Sequence, residues 1–88
     1  MEHMEVQFDF VEKNGGACVT KILSPGAACV IPETLSGLPV TELGDKALAQ
    51  TGVEEVFLPR TLRRLGRYCF YGCERLSHIH FYGGPLET

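Results

Sequence analysis

Residues 53–73 read VEEVFLPRTLRRLGRYCFYGC, and the segments on both sides are imperfect copies of this stretch. The apolar residues of 53–58 recur 23 residues later in 76–81, with the same i, i+3, i+5 spacing. Two further matches lie upstream: CVIP at 29–32 with VFLP at 56–59, and LGDKAL at 43–48 with LGRYCF at 65–70. The earlier unit carries about five extra residues, Ser36 to Val40, so about two and a half units of a repeat are visible.

Each unit has the internal pattern of one coil of a solenoid. Val56 and Leu58 are predicted to point inward from a short strand, which Pro59 ends because it cannot donate to a ladder. The rest of the unit supplies inward residues and bends: Leu62 and Leu65, the bend at Gly66, Cys69 and Phe70 on a single helical turn, and the closing Gly72. Because one coil cannot bury its apolar row alone, the coils are expected to stack. The period is too specific to favour two unrelated βα segments.

The repeat resembles a known family. IPETLSGLPVTELGDKALA at 31–49, followed by the units of 53–81, is similar to the BspA-type leucine-rich repeats of bacteria and some protists. Their units also read as a strand ending in Pro, a Leu/Ile-Gly step, an Ala-Phe pair, then Gly-Cys and a Leu. The departures are Leu48 for the usual Phe, Gln50-Thr51 for Gly-Cys, and Cys69 for Ala. The resemblance spans about Ala17 to Gly83 and implies a right-handed α/β-type solenoid for adhesion or protein recognition, without catalytic residues.

The N-terminal region is predicted to form a β-hairpin that caps the solenoid. Val6, Phe8 and Phe10 alternate with polar residues, which is typical of a strand. Asn-Gly within residues 13–16 favours a type I′ turn, and a return strand follows at about 17–23. The inward face of that return strand is ambiguous, because its apolar and polar residues do not alternate cleanly.

The chain divides into a hairpin cap at 1–27, the repeats at 28–83 and a tail at 84–88. No second cap is apparent, so the strand at 76–81 is expected to present an open edge. We expect another copy of the chain, or the next repeat of a longer parent, to cover that edge.

Composition limits the classes of function. A net charge of −3 argues against a nucleic-acid binder. No stretch approaches the roughly 18 apolar residues of a membrane helix, and residues 1–4 do not begin a signal peptide. The compartment stays open, although the resemblance favours an extracellular or cell-surface location over the cytosol.

Four cysteines are present: Cys18, Cys29, Cys69 and Cys73. We expect all four to be reduced core residues, since free cysteine behaves as a small buried hydrophobe. One helical turn gives poor geometry for a Cys69–Cys73 disulfide, whereas a bridge between Cys18 and Cys29 stays open.

Cys69, Cys73, His78 and His80 together contain zinc-ligand residue types, but their spacing matches no compact zinc motif. Strand alternation also turns both histidines away from the cysteines, which separates a thiol nucleophile from its base. We therefore expect no metal, no cofactor and no catalytic residues.

A basic cluster is formed by Arg60, Arg63, Arg64 and Arg67, and Arg75 follows shortly after it in the sequence. We expect these arginines to form a solvated, charged face. Alternatively, the cluster binds an acidic partner, or a phosphate-bearing ligand through several guanidinium groups.

The outer face of the predicted sheet is the candidate binding surface, and its residues are Glu55, Phe57, His78, His80 and Val30. Exposed aromatic residues are typical interface anchors, although Phe57 could instead make only cross-strand pairs. Two histidines would make binding depend on pH near neutrality.

The first functional hypothesis is a non-catalytic module that binds a protein or peptide through this face. The second is a self-assembling unit, or a fragment of a longer solenoid, with no other ligand. The third is a small metal- or thiol-dependent enzyme built on Cys69, Cys73, His78 and His80.

Overall fold

A computed structural model describes residues 7–23 and 25–84, so Val6, Ser24 and most of the predicted tail lie outside the described residues. Its strands are β1 (Gln7–Lys13), β2 (Gly16–Leu23), β3 (Ala28–Val30), β4 (Thr34–Leu35), β5 (Leu38–Leu43), β6 (Glu55–Phe57), β7 (Arg64–Leu65) and β8 (His78–His80). One sheet has the order β3-β6-β8, and the other joins β1-β2-β5 with both β4 and β7 paired to β5.

The three-stranded sheet is parallel and has the register that the repeat predicted. Cys29 pairs with Val56, and Val56 pairs with Ile79, so equivalent residues of successive coils lie side by side. Val56 is fully buried and Leu58 is buried, whereas Phe57 is half-buried on the other side of the strand. The predicted stacking of residues 53–58 against 76–81 is therefore confirmed.

The Leu-Gly steps form a second sheet that the sequence did not predict. Leu43 at the end of β5 pairs in parallel with Leu65 of β7. The Gly66 N–H then donates to the Leu43 carbonyl at 2.7 Å. The first two coils thus each contribute to both sheets, whose inward side chains share one core.

The N-terminal hairpin joins the second sheet through β2, which pairs in parallel with β5. Asn14 and Gly15 have φ angles of 54° and 81°, as the predicted type I′ turn requires. The register shifts after Asp9, leaving an extra residue in β2. Because of this bulge, Val19 and Ile22 both reach the core, which explains the ambiguous pattern of the return strand.

The extra residues of the first coil form a second hairpin. Thr34 pairs with Pro39, and Leu35 pairs with Leu38. Ser36 and Gly37 connect the two strands with φ angles of 50° and 81°, again as in a type I′ turn. The insertion packs against the core through Leu38 and the fully buried Val40, and it leaves the stacking of the coils intact.

Tight turns replace the predicted single helical turns, and no helix occurs within the described ranges. Lys46 and Gln50 have φ angles of 60° and 59°, and the equivalent Tyr68 and Gly72 have 56° and 75°. A left-handed residue at every fourth position interrupts an α-helix. The turns of adjacent coils are hydrogen-bonded instead, as in the Leu48 N–H to Cys69 carbonyl bond of 3.0 Å.

The cysteines are free thiols in the structure, and all except the partly buried Cys73 are buried. Burial raises the pKa of Cys29 to about 11 and that of Cys69 to about 11. Because the thiolate is the nucleophile, such thiols are poorly reactive at neutral pH. This environment suits packing better than catalysis.

Candidate functional site

The outer face of the parallel sheet brings the five predicted binding residues together. Val30 pairs with Phe57, which pairs with His80, so these three residues form one row across the strands. Glu55 pairs with His78 in the neighbouring row. The alternation of β6 and β8 alone aims these side chains away from the core that Val56 occupies.

Ring stacking orders this surface. The Phe57 and His80 rings lie 4.3 Å apart between centroids, with an interplanar angle of 9°. His78 and His80 follow at 6.0 Å and 12°. The three stacked rings form a strip whose side chains are already ordered. A partner that contacted this strip would therefore immobilise few additional side-chain rotamers.

Polar groups surround the stacked rings. The Glu55 Oε1 atom lies 3.9 Å from His80 Nε2, which is too long for a hydrogen bond and close enough for an ion pair once the imidazole is protonated. His80 Nε2 itself is buried and has no hydrogen-bond partner. His78 Nδ1, by contrast, is paired with Ser77 Oγ at 3.0 Å.

A groove of about 290 Å³ lies at the carboxyl ends of β3 and β6. Val30, Phe57 and Tyr82 supply apolar walls, and Glu33 and Arg60 supply charge. Tyr82 is 82% exposed, and the sequence analysis missed it. The sequence did contain a signal for an outward-facing residue here, because Tyr82 continues the outward alternation of His78 and His80 beyond the end of β8.

The four arginines of the basic cluster are all exposed but do not share one site. Arg60 lines the groove of the parallel sheet and pairs with Glu33, with Nε and Oε2 3.6 Å apart. Arg63 and Arg64 line a separate groove with Lys13. Arg67 lines a further groove that also includes Arg64.

The cysteines and histidines of the enzyme hypothesis lie in different environments. Cys69 is buried in the turn region, whereas His78 and His80 lie on the outer face of the sheet. The Cys73 thiol donates to the Leu48 carbonyl at 3.0 Å. Among residues 7–23 and 25–84, no group of three His, Cys, Asp or Glu residues is arranged to hold a metal ion.

Several solved structures share this fold. A leucine-rich repeat protein of T. pallidum is 33% identical over 83% of this chain, with a TM-score of 0.80. One from Bacteroides capillosus is 26% identical over 84%, with a TM-score of 0.77. A leucine-rich cell surface protein of Faecalibacterium prausnitzii shares the fold at 22% identity over 91%, with a TM-score of 0.75. No protein-family model and no curated protein matches the chain.

The stacked coils and these neighbours show that the chain has a leucine-rich repeat fold. The neighbours are bacterial, which is consistent with the BspA-type family that the sequence resembles. The chain spans 36%, 60% and 24% of the lengths of the three proteins. Leucine-rich repeat proteins are typically non-enzymatic interaction modules. No helix long and apolar enough to cross a membrane occurs in the part of the chain that the structure describes.

Proposed function

We propose that the chain is a non-catalytic interaction or adhesion module that binds a protein or peptide through the outer face of its parallel sheet. The observation that carries this proposal is the stacked Phe57–His80 pair beside an open groove. Burial of the thiols and the leucine-rich repeat class both favour binding over catalysis. An extracellular or cell-surface location is supported by the description of the Faecalibacterium neighbour as a cell surface protein.

The surface has the composition of an interface core. Val30 is 64% exposed and Tyr82 is 82% exposed, so apolar side chains on both sides of Phe57 are open to a partner. Glu33 and Arg60 provide a polar rim at the end of the groove. Interfaces commonly combine aromatic anchors at the centre with charged groups at the rim.

Replacing Phe57 by alanine is expected to weaken binding by about 2 kcal/mol, or roughly thirtyfold, because a central aromatic anchor is lost. The probes are peptides that lack Asp and Glu, so that they do not bind through the exposed arginines. They are selected on the wild-type protein from a random phage-displayed library. Their dissociation constants are then measured on the variant by fluorescence anisotropy. Circular dichroism should show a folded variant, since Phe57 is only half-buried.

Tyr71→Ala is the matched control, because Tyr71 is 59% exposed and lies on a turn far along the coil from β6. It should leave binding unchanged. Selected peptides that bind Phe57→Ala as tightly as the wild type would contradict this proposal.

A self-assembling unit is the second candidate, and the exposure of Ile79 favours it. Ile79 is 48% exposed, although its repeat equivalent Val56 is fully buried. Among the described strands, β8 pairs only with β6. Under this second candidate, we propose that another copy of the chain, or the next coil of a longer solenoid, covers this edge of β8.

Light scattering tests self-assembly of this chain. The wild type should then show a mass that rises with concentration, and Ile79→Asp should remove the rise because a charge disfavours burial of the edge. A wild-type monomer at millimolar concentration would exclude the second-copy version.

A further inference from the structure

The second sheet carries a cluster of cations on its outer side. We call it the cationic patch, and it consists of Lys13, Arg63, Arg64 and Arg67. The N-terminal hairpin supplies Lys13, whereas the arginines belong to the segment around β7. All four side chains are exposed.

Two adjoining grooves run past the cationic patch, each with a volume of about 220 Å³. Lys13, Glu42 and Arg64 line both grooves. Arg63 lines only the first of them and Arg67 only the second. Cations therefore follow one continuous depression, which suits an extended ligand better than a compact one.

The carboxylates of the grooves are already engaged. Glu42 Oε2 binds Lys13 Nζ at 3.2 Å, and Asp45 Oδ1 accepts a hydrogen bond from the Arg67 backbone N–H at 2.7 Å. Across the described ranges, the guanidinium groups of Arg63, Arg64 and Arg67 form no ion pair. A local excess of positive charge thus lies on a chain whose net charge is −3.

We propose that the cationic patch binds an acidic, extended peptide segment of a partner protein, independently of the parallel-sheet face. Guanidinium groups bind carboxylates through paired hydrogen bonds, so three arginines without an ion pair among the described residues suit a run of Asp or Glu. The two adjoining grooves also favour an extended segment over a single small anion, because Arg63 and Arg67 line different grooves.

A nucleic acid fits this surface less well than a short acidic peptide. A long polyanion would extend beyond the patch and meet the negative potential of a chain with a pI near 5.5. An extended peptide of ten residues spans at most roughly 36 Å, close to the 35 Å longest dimension of the domain, so it extends far less beyond the patch than a long polyanion does.

The test is the binding of fluorescein-labelled decaglutamate, measured by anisotropy at 50 mM and 200 mM salt. The wild type should bind with a dissociation constant below about 1 mM at low salt, and more weakly at high salt. A variant with Arg63→Glu, Arg64→Glu and Arg67→Glu should bind at least about tenfold more weakly. If that variant is unfolded by circular dichroism, the corresponding triple glutamine variant is measured instead, with the same expectation.

The matched control is a variant with Lys21→Glu, Lys46→Glu and Arg75→Glu. These exposed residues line neither groove, yet their reversal changes the net charge by the same amount. The control should retain binding. Equal loss in both variants, absence of wild-type binding, or equally tight binding of decathymidylate would each overturn the proposal, and none of these results bears on Phe57.

Discussion

Replacing Gly66 by alanine is expected to lower the free energy of unfolding by about 3 kcal/mol, a large fraction of the stability of a small domain. An alanine Cβ at this position would lie 2.5 Å from both the Asp45 backbone nitrogen and the Gly44 carbonyl carbon. The atoms that this Cβ would meet belong to the backbone of the adjacent coil, and backbone atoms cannot rotate away as a side chain would. The coils would have to separate and stretch the 2.7 Å hydrogen bond from Gly66 to Leu43.

Gly52→Ala is the control for this prediction, because a Cβ there would meet no heavy atom within 4 Å. Neither glycine has a left-handed φ, so steric contact is the difference between the two sites. Urea denaturation should therefore give an unchanged or slightly raised midpoint for Gly52→Ala. Equal midpoints for the two variants would mean that the coils are not in contact at Gly66.

The parallel sheet could be predicted from the sequence because its register follows from the repeat spacing. Equal spacing placed Val56 beside Ile79 and directed Phe57 outward without any knowledge of side-chain contacts. The row of Phe57 and His80 follows from the same reasoning. This part of the candidate site depends only on period and alternation, which are local properties of the chain.

The turns could not be predicted in the same way. Lys46 and Tyr68 adopt left-handed φ angles, although glycine and asparagine are the residues that favour this region. Hydrogen bonds between coils hold this conformation, as in the 2.9 Å bond from the Lys46 N–H to the Arg67 carbonyl. Because that restraint comes from the neighbouring coil, the residues themselves resemble an ordinary helical turn.

The second sheet was missed for a different reason. Strands as short as Arg64–Leu65 are too brief to show a period of two. The cationic patch was therefore incomplete in the sequence analysis, since Lys13 joins the arginines only when the hairpin pairs with β5. Arg60 lies at the end of the other sheet and shares a further groove with Arg63, but it lines neither groove of the cationic patch.

Val56→Asp is expected to abolish folding at room temperature. Val56 is fully buried in the shared core, and an aspartate there would have no described polar partner. Burying such a group costs roughly 4 kcal/mol or more, even if the carboxyl is protonated. For a domain of this size that loss approaches the total free energy of unfolding, so circular dichroism should show an unfolded chain.

Ile79→Asp makes the same kind of change at the equivalent position of the next coil and should leave the protein folded. Ile79 is 48% exposed, so the carboxylate can reach water, and the expected loss is about 1 to 2 kcal/mol. Both variants are compared at low micromolar concentration, where self-association is weakest. If Ile79→Asp unfolds as completely as Val56→Asp, then Ile79 is covered in solution, and the edge of β8 that pairs with no described strand is an interface rather than a free surface.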